Sequence, residues 1–426
     1  MFKRIGLLVV LLTLFVWLAA CQSAEKATVT FAVSGDAAEF AAYESLVASF
    51  SEIHPEIDVQ LQLVPSDSEY RQKLATAFSA GDPPNVMLLN YRRFGAFVAE
   101  NGLAPLDDYL AGSEIIAKND FFPQAIDAFY LGGSLYCIPQ NLSSLVVYYN
   151  KALFDAAGLA YPANDWTRAE FMMAARALTQ DIDGDGRIDQ YGAGIEPTIS
   201  RLAPFIWQFG GELVDNQEKP TRLTLDSPES LAAFQWFVDL QVKEHVVPDA
   251  VAESAQDSES RFLNGTMGMY FNSRRSTPTM RTITAFDWDV APLPRGAQAA
   301  SILHSDGYCM AEQTANKDAA WTFIEYANSA PGQAIVALTG RTVPSLISVA
   351  ESDAFLPADS KPANGRIFLD VAPQIRWVPI MANWSTIEET AGQEVERAFY
   401  GQVGVEEAAE TAVTLTQTYF DEANTP

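Results

Sequence analysis

The sequence predicts an α/β protein divided into two lobes, and three observations carry that prediction. Strand and helix signals alternate from Val29 onward, hydrophobic residues make up 48% of the chain, and 426 residues exceed what one compact core usually organises. Val29 to Val33 reads as a buried strand, closed by Ser34-Gly35-Asp36. A helix follows with Phe40, Tyr43, Leu46, Val47 and Phe50 at helical spacing. Val59 to Val64 is a second strand, more β-branched than alternating, and a polar helix runs from about Asp67 to Ala80. Gly81-Asp82-Pro83-Pro84 stops that helix and Val86 to Leu89 supplies a third strand. This βαβαβ order implies a parallel sheet with both faces covered.

Farther on, Thr167 with Glu170 three residues later is a capping box. It opens a helix with Phe171, Ala174, Ala175 and Leu178 on one face. Ser227-Pro228-Glu229 starts another, with Leu231, Phe234, Phe237 and Leu240 inward, and Lys317 to Asn328 a third. Two more are expected around Ile387 to Phe399 and Val405 to Tyr419. No linker separates the lobes, so the chain is expected to cross between them more than once.

Charge and cysteine use exclude several classes of function. With 54 acidic against 27 basic residues the formal charge is −27, which repels a nucleic acid. Three cysteines without a CxxC exclude a zinc ribbon or a thioredoxin-type centre. At the N-terminus Lys3 and Arg4 precede an apolar stretch from Ile5 to Leu18, too short to span a bilayer. Leu18-Ala19-Ala20-Cys21 then resembles a bacterial lipoprotein cleavage box. Residues 1–20 are accordingly expected to be a signal peptide, Cys21 the lipidated first residue of the mature chain and 21–28 a tether. The mature chain, at −29, is expected to be extracytoplasmic and held to the membrane by its lipid.

A run of motifs between residues 29 and 345 resembles, in order and spacing, the extracellular solute-binding proteins of ABC importers, in particular the large sugar-binding family. They are Gly81-Asp82-Pro83-Pro84-Asn85-Val86, Leu135-Tyr136-Cys137-Ile138-Pro139 and Val147-Tyr148-Tyr149-Asn150-Lys151. Asp165-Trp166-Thr167, Trp207-Gln208-Phe209-Gly210-Gly211, Phe262-Leu263-Asn264-Gly265 and Asn316-Lys317-Asp318-Ala319-Ala320-Trp321 follow. The resemblance implies a periplasmic-binding-protein-like fold with hinge crossovers near Pro139, Ser305 and Thr342 and a central ligand cleft. Lobe 1 would comprise 29–138 and 305–341, and lobe 2 139–304 and 342–426. It also implies a monomer that captures a carbohydrate by hinge closure and hands it to permease subunits in the membrane, without chemistry on the ligand.

Sugar recognition calls for flat apolar faces and for amide, carboxylate or guanidinium groups that hold adjacent hydroxyls in pairs. Residues of these types on loops after strands are the candidates: Asp36, Glu39, Asn90, Tyr91, Arg92, Gln140, Asn141, Trp207, Asn272, Arg274, Asp306, Gly307, Arg341, Arg376 and Trp384. Each has a plainer reading. Trp207 also reads as a core aromatic, Asp36 and Glu39 as acids at a helix N-terminus, and each arginine as a surface ion pair. Gln140 and Asn141 have the strongest positional argument, because they stand at the first crossing.

A second motif stands on its own residues. Asp181, Asp183, Asp185, Arg187 (through its carbonyl) and Asp189 occupy positions 1, 3, 5, 7 and 9 of a loop with Gly186 at position 6, the front of a calcium loop. Position 12 is Gly192 instead of the bidentate Glu, so Glu196 or a distant acid is needed to complete the shell. The resemblance implies a structural Ca2+ here. It also sets the strands carrying Cys137 and Cys309 side by side, where a disulfide would brace the hinge. Three other readings stay open: a secreted glycan-cleaving enzyme using two carboxylates, a ligand sensor, and a binder of glycerol-phosphate-type solutes.

Overall fold

The computed structural model describes residues 26–424, so the signal peptide and Cys21 lie outside the described residues. Thirteen strands are found there: β1 (Ala27–Ser34), β2 (Ile57–Val64), β3 (Val86–Asn90), β4 (Tyr130–Leu131), β5 (Ser134–Leu135), β6 (Cys137–Pro139), β7 (Leu145–Asn150), β8 (Tyr191–Gly194), β9 (Met267–Ser273), β10 (Trp288–Ala291), β11 (Ser301–Ile302), β12 (Asp306–Met310) and β13 (Ile375–Arg376). They build two principal sheets, one of five strands in the order β2-β1-β3-β12-β6 and one of four in the order β10-β7-β9-β8. No helix among the described residues is long and apolar enough to cross a membrane.

The first sheet opens as expected, with β1 parallel to both β2 and β3. It is completed differently, because β12 runs antiparallel to β3 and to β6. β1 begins at Ala27, so the last residues assigned to the tether are strand, Ala27 facing Ile57 and Thr28 facing Asp58. As the edge strand, β2 alternates more cleanly than expected as far as Leu63: Ile57 and Val59 are buried and Leu61 and Leu63 partly so, while Asp58, Gln60 and Gln62 face solvent. The helix Asp67–Ala80 starts where the Ser66 hydroxyl accepts the Glu69 N–H and ends at Gly81, whose φ of 74° a side chain would resist. Phe31, Phe50, Tyr308 and Phe323 pack as an aromatic cluster between this sheet and the helices Ala37–Ile53 and Lys317–Ala327.

The second sheet is buried on both faces, and its two-residue period sorts the side chains. Leu145, Val147 and Tyr149 of β7 join one apolar cluster, and Val146 and Tyr148 join the other. The capping box forms, with the Thr167 N–H donating to the Glu170 carboxylate at 2.6 Å, and Phe171, Ala174, Ala175 and Leu178 are all buried. The Pro228 helix is capped more simply, by the Ser227 hydroxyl accepting the Ser230 N–H, because its acid stands one position too early for the reciprocal bond. The C-terminal helices Trp384–Phe399 and Val405–Asn424 pack on each other and on Pro228–Val242.

Three backbone segments pass side by side between the sheets. Ser143 and His304 exchange both backbone hydrogen bonds, Leu142 donates to Val343, and Ser345 donates to Gln140. Asn141 also bridges Pro344. Just beneath, Cys137 and Cys309 face each other across β6 and β12 and are joined as a disulfide.

Candidate functional site

A cleft of about 370 Å3 opens above these crossings, at the lower end of the roughly 300–1,000 Å3 typical of small-molecule sites. One wall comes from the loops at the carboxyl ends of the parallel strands: Gly35 and Asp36 after β1, Pro65 and Asp67 after β2, Asn90, Arg92 and Arg93 in the segment that ends β3. The floor is crossing residues, Gln140, Asn141, Ser143, His304, Asp306, Arg341 and Thr342. Ser273 and Arg275, at the end of β9, face it from the second sheet.

Eight of the predicted residues meet here. Asp36 and Glu39 do both things expected of them. They cap the helix Ala37–Ile53 reciprocally, each carboxylate accepting the other's N–H at 3.0 Å, and both bind Arg341, at 2.6 and 2.5 Å. Burial raises the Glu39 pKa and the Arg341 charge opposes that rise. Asn90 donates to the Asp306 carboxylate at 3.1 Å and accepts from Arg92, which in turn binds Glu388 at 2.6 Å. Asp306 keeps some surface in the cleft but is otherwise enclosed, and desolvation raises its pKa against the pull of Asn90 and of Arg93, Arg92 and Arg275.

Gln140 and Asn141 are in the cleft floor, with their polar atoms turned to structural use. The Gln140 amide donates to Tyr43 and Tyr308, both at 3.0 Å, and the Asn141 side-chain oxygen accepts the Asp306 N–H at 2.7 Å. They fix the crossings, and the Asn141 amide nitrogen, which also belongs to a lining residue, is the group left to offer a ligand. Position was a good guide to their location.

The other seven candidates lie elsewhere, for definite reasons. Trp207 is a core aromatic with the Arg376 guanidinium 4.7 Å from its ring, and Arg376 is paired with Glu212. Trp384 is wholly buried, and the Tyr91 hydroxyl reaches inward to the Val378 N–H at 3.4 Å. Arg274 is buried between Phe355 and Phe368, donates to the Gly340 carbonyl at 2.7 Å, and is pushed down to about 10 by desolvation. Asn272 spends its amide on the Tyr270 hydroxyl and the Ser273 N–H. Gly307 lies inside the first sheet, where a Cβ would strike Phe129 and Cys137.

Several lining residues were not anticipated, notably Arg71, Arg93, Arg275 and His304. Arg275 had a signal in being the neighbour of Arg274, but only the strand end decides which of the two faces the cleft. His304 directly precedes the second crossing, which was signal enough. Its ring nitrogen Nε2 lies 3.4 Å from Arg201, and burial, then Arg201, Arg92 and Arg275, hold its pKa well below the ordinary value. Arg201 also binds Glu196 at 2.8 Å.

Away from the cleft, Asp181, Asp183 and Asp189 bring carboxylate oxygens within 4.8 Å of one another on an exposed loop. Gly184 and Gly186, at φ 79° and 89°, make the turns that direct backbone N–H groups at the acids: Gly184 and Gly186 both donate to Asp181. Asp185 is not in that trio and accepts the Arg187 N–H, while Glu196 is engaged by Arg201 instead of completing the set. Three converging hard-oxygen groups fit a calcium ion.

Residues 34–334 match the family described as bacterial extracellular solute-binding protein. The chain is similar to a putative binding protein of Brucella abortus, 23% identical over 402 residues that cover 90% of this chain and 91% of that one. It is also similar to a maltotriose-binding protein of Pyrococcus abyssi, 23% identical across 69% of this chain and 60% of that one. Among solved structures, the ABC substrate-binding protein of Listeria monocytogenes in complex with cycloalternan shares the fold. Its TM-score is 0.83 at 24% identity, over 93% of this chain and 98% of that one.

Proposed function

The chain belongs to the bacterial extracellular solute-binding proteins, and on that premise we propose that it captures a carbohydrate in the cleft by hinge closure and delivers it to an ABC permease. The observation that supports this reading is the composition of the cleft: its walls belong to two separate sheets and its floor to the three segments that join them. A ligand touching both walls binds the closed form better than the open one, and that differential affinity alone drives closure. Similarity to proteins named for maltotriose and for cycloalternan favours a saccharide over other solutes. On this reading the ligand leaves unchanged, and the pairing of the cleft carboxylates with Arg341, Arg93 and Asn90 suits binding.

The mature chain is anchored through a lipid on Cys21, and the 181–189 loop holds a structural calcium through Asp181, Asp183 and Asp189. Bound calcium supplies charge that offsets the mutual repulsion of those acids, and stiffens the lobe away from the cleft. Two measurements test the whole reading. Thermal unfolding of the mature domain against a saccharide panel should show stabilisation of about 2.7 kcal/mol when a ligand is present at a hundred times its Kd. Chromatography of the recovered saccharide should then show it intact, and cleavage products would replace the binder with an enzyme. For the anchor, Cys21→Ser should move the protein from the membrane fraction to the medium.

A further inference from the structure

The polar side of the cleft is more specific than a general sugar site requires. Among the described residues no tryptophan lines it, and of its aromatic residues Tyr43 and Tyr70 are buried while Phe97 packs on Phe78 at 4.8 Å. The cleft therefore presents, among the described residues, no exposed flat apolar platform of the kind that usually carries a neutral pyranose. Five of the chain's 27 basic residues line the cleft instead, all of them arginine.

Four of the five are committed. Arg341 binds Asp36 and Glu39, Arg93 and Arg71 bind Asp67, and Arg92 binds Glu388. Arg275 is exposed, and no carboxylate among the described residues pairs with it. It lines the cleft together with His304, Asp306 and Glu39. Behind His304 stands Arg201, nine-tenths buried, with its Nε–H unpartnered.

We propose that the cleft selects a saccharide bearing an anionic group, a uronate carboxylate or a phosphate ester, which pairs with Arg275 beside His304. The inference rests on the carbohydrate-binding reading and narrows it. A planar guanidinium presents two parallel N–H donors to either oxyanion, and once hinge closure shields the cleft from water that pair is stronger than a contact to a hydroxyl. Arg201 is paired with Glu196 and backs His304 without direct contact, and the Asp306 carboxylate, which accepts from Asn90, remains for a ring hydroxyl. The acids that line the cleft do not compete for Arg275, because Asp36 and Glu39 are paired with Arg341, Asp67 is paired with Arg93 and Arg71, and Asp306 accepts from Asn90.

The test is calorimetric titration of the mature protein with matched pairs: digalacturonate against galactobiose, and glucose 6-phosphate against glucose, each at 50 and 500 mM NaCl. One acidic member should bind at least tenfold more tightly than its neutral twin, and which pair responds distinguishes carboxylate from phosphate. Raising the salt should weaken the acid and leave the twin unchanged. Arg275→Gln should erase the tenfold preference while keeping the neutral twin within twofold, and Arg275→Lys should retain most of the preference. Thermal unfolding of the unliganded variants checks that each is folded. Equal or tighter binding of the neutral twins would overturn the inference and leave the carbohydrate reading intact. Loss of affinity for both twins in Arg275→Gln would overturn it as well, making Arg275 a general ligand contact. Silence from acids and neutral saccharides alike would overturn both readings together.

Discussion

The 181–189 loop and the interlobe cleft are both polar sites, but they are assembled on different scales. All of the loop's acids fall within nine residues, and two glycines fold them onto one another by local hydrogen bonds. The cleft draws Asp36, Asn90, Gln140, Asp306 and Arg341 from segments up to 305 positions apart, as in the Arg341 to Asp36 bond. A site of the first kind depends on the composition of one turn. The second depends on everything that keeps two sheets and three crossings in register, so distant covalent and ionic links should matter to the cleft and not to the loop.

The largest test of that difference is the Cys137–Cys309 disulfide, which closes a 172-residue separation directly under the crossings. Replacing both cysteines by serine should cost about 4 kcal/mol in denaturant unfolding, chiefly by freeing the unfolded chain. Saccharide affinity should fall with it while calcium affinity stays. Two free thiols per chain in a denaturing, non-reducing titration of the native protein would remove the premise. The converse experiment is chelation. Removing calcium, or Asp183→Asn, should lower stability by up to about 2.7 kcal/mol at a hundredfold excess of metal over its Kd, with saccharide affinity unchanged within twofold. A chelator that abolished saccharide binding would erase the contrast between the two regions.

The same contrast explains what was legible in the sequence. Each helix named in advance is present, because capping residues and apolar spacing are local signals: Thr167 with Glu170, and Phe171 with Ala175 and Leu178, declare a helix without reference to the rest of the chain. The loop was legible for the same reason, down to the glycines, although Asp185 fell outside the converging trio because its carboxylate caps the following turn. In the cleft, location was readable where a crossing was, as at Gln140, Asn141 and Asp306. Side-chain direction was not. Arg274 and Arg275 are identical in type and adjacent, yet one is buried between two phenylalanines and the other opens into the cleft. That choice depends on the end of β9 and on a segment some eighty residues later. Trp207 failed similarly: its glycine-adjacent motif is real, but tertiary packing gave the ring to the core.

A smaller effect should come from Arg341. Arg341→Gln removes the cation that Asp36 and Glu39 share, and should cost about 2 kcal/mol, the scale of a charged hydrogen bond, because Asp36 is half-exposed and is relieved by water. Glu39 would lose the charge that opposes its desolvation, so its pKa should rise further, observable as a carboxyl resonance titrating later in the variant. If Arg341→Gln disturbed calcium binding, the two regions would be coupled after all.

The smallest expected effect lies in two groups on one crossing whose charged forms are both disfavoured by burial. Asp306 has its folded pKa raised above 3.8, so the folded state holds its proton more tightly than the unfolded chain. Its contribution is full below 3.8 and is lost as pH rises through the folded value. His304 has its folded pKa well below 6.5, so the unfolded chain binds that proton more tightly. Its contribution is full above 6.5 and is lost as pH falls toward the folded value. At neutral pH the His304 contribution is intact and the Asp306 one is spent. Asp306→Asn, which keeps an oxygen for the Asn90 amide, should therefore be slightly more stable than the native chain at pH 7 and lose that advantage near pH 3.8. The difference in melting temperature between variant and native protein, followed from pH 7 to pH 4, reads this directly. A variant less stable at pH 7 would mean that the charge of Asp306 is more tightly paired than its bond to Asn90 implies, with Arg275 as the partner that closes onto it.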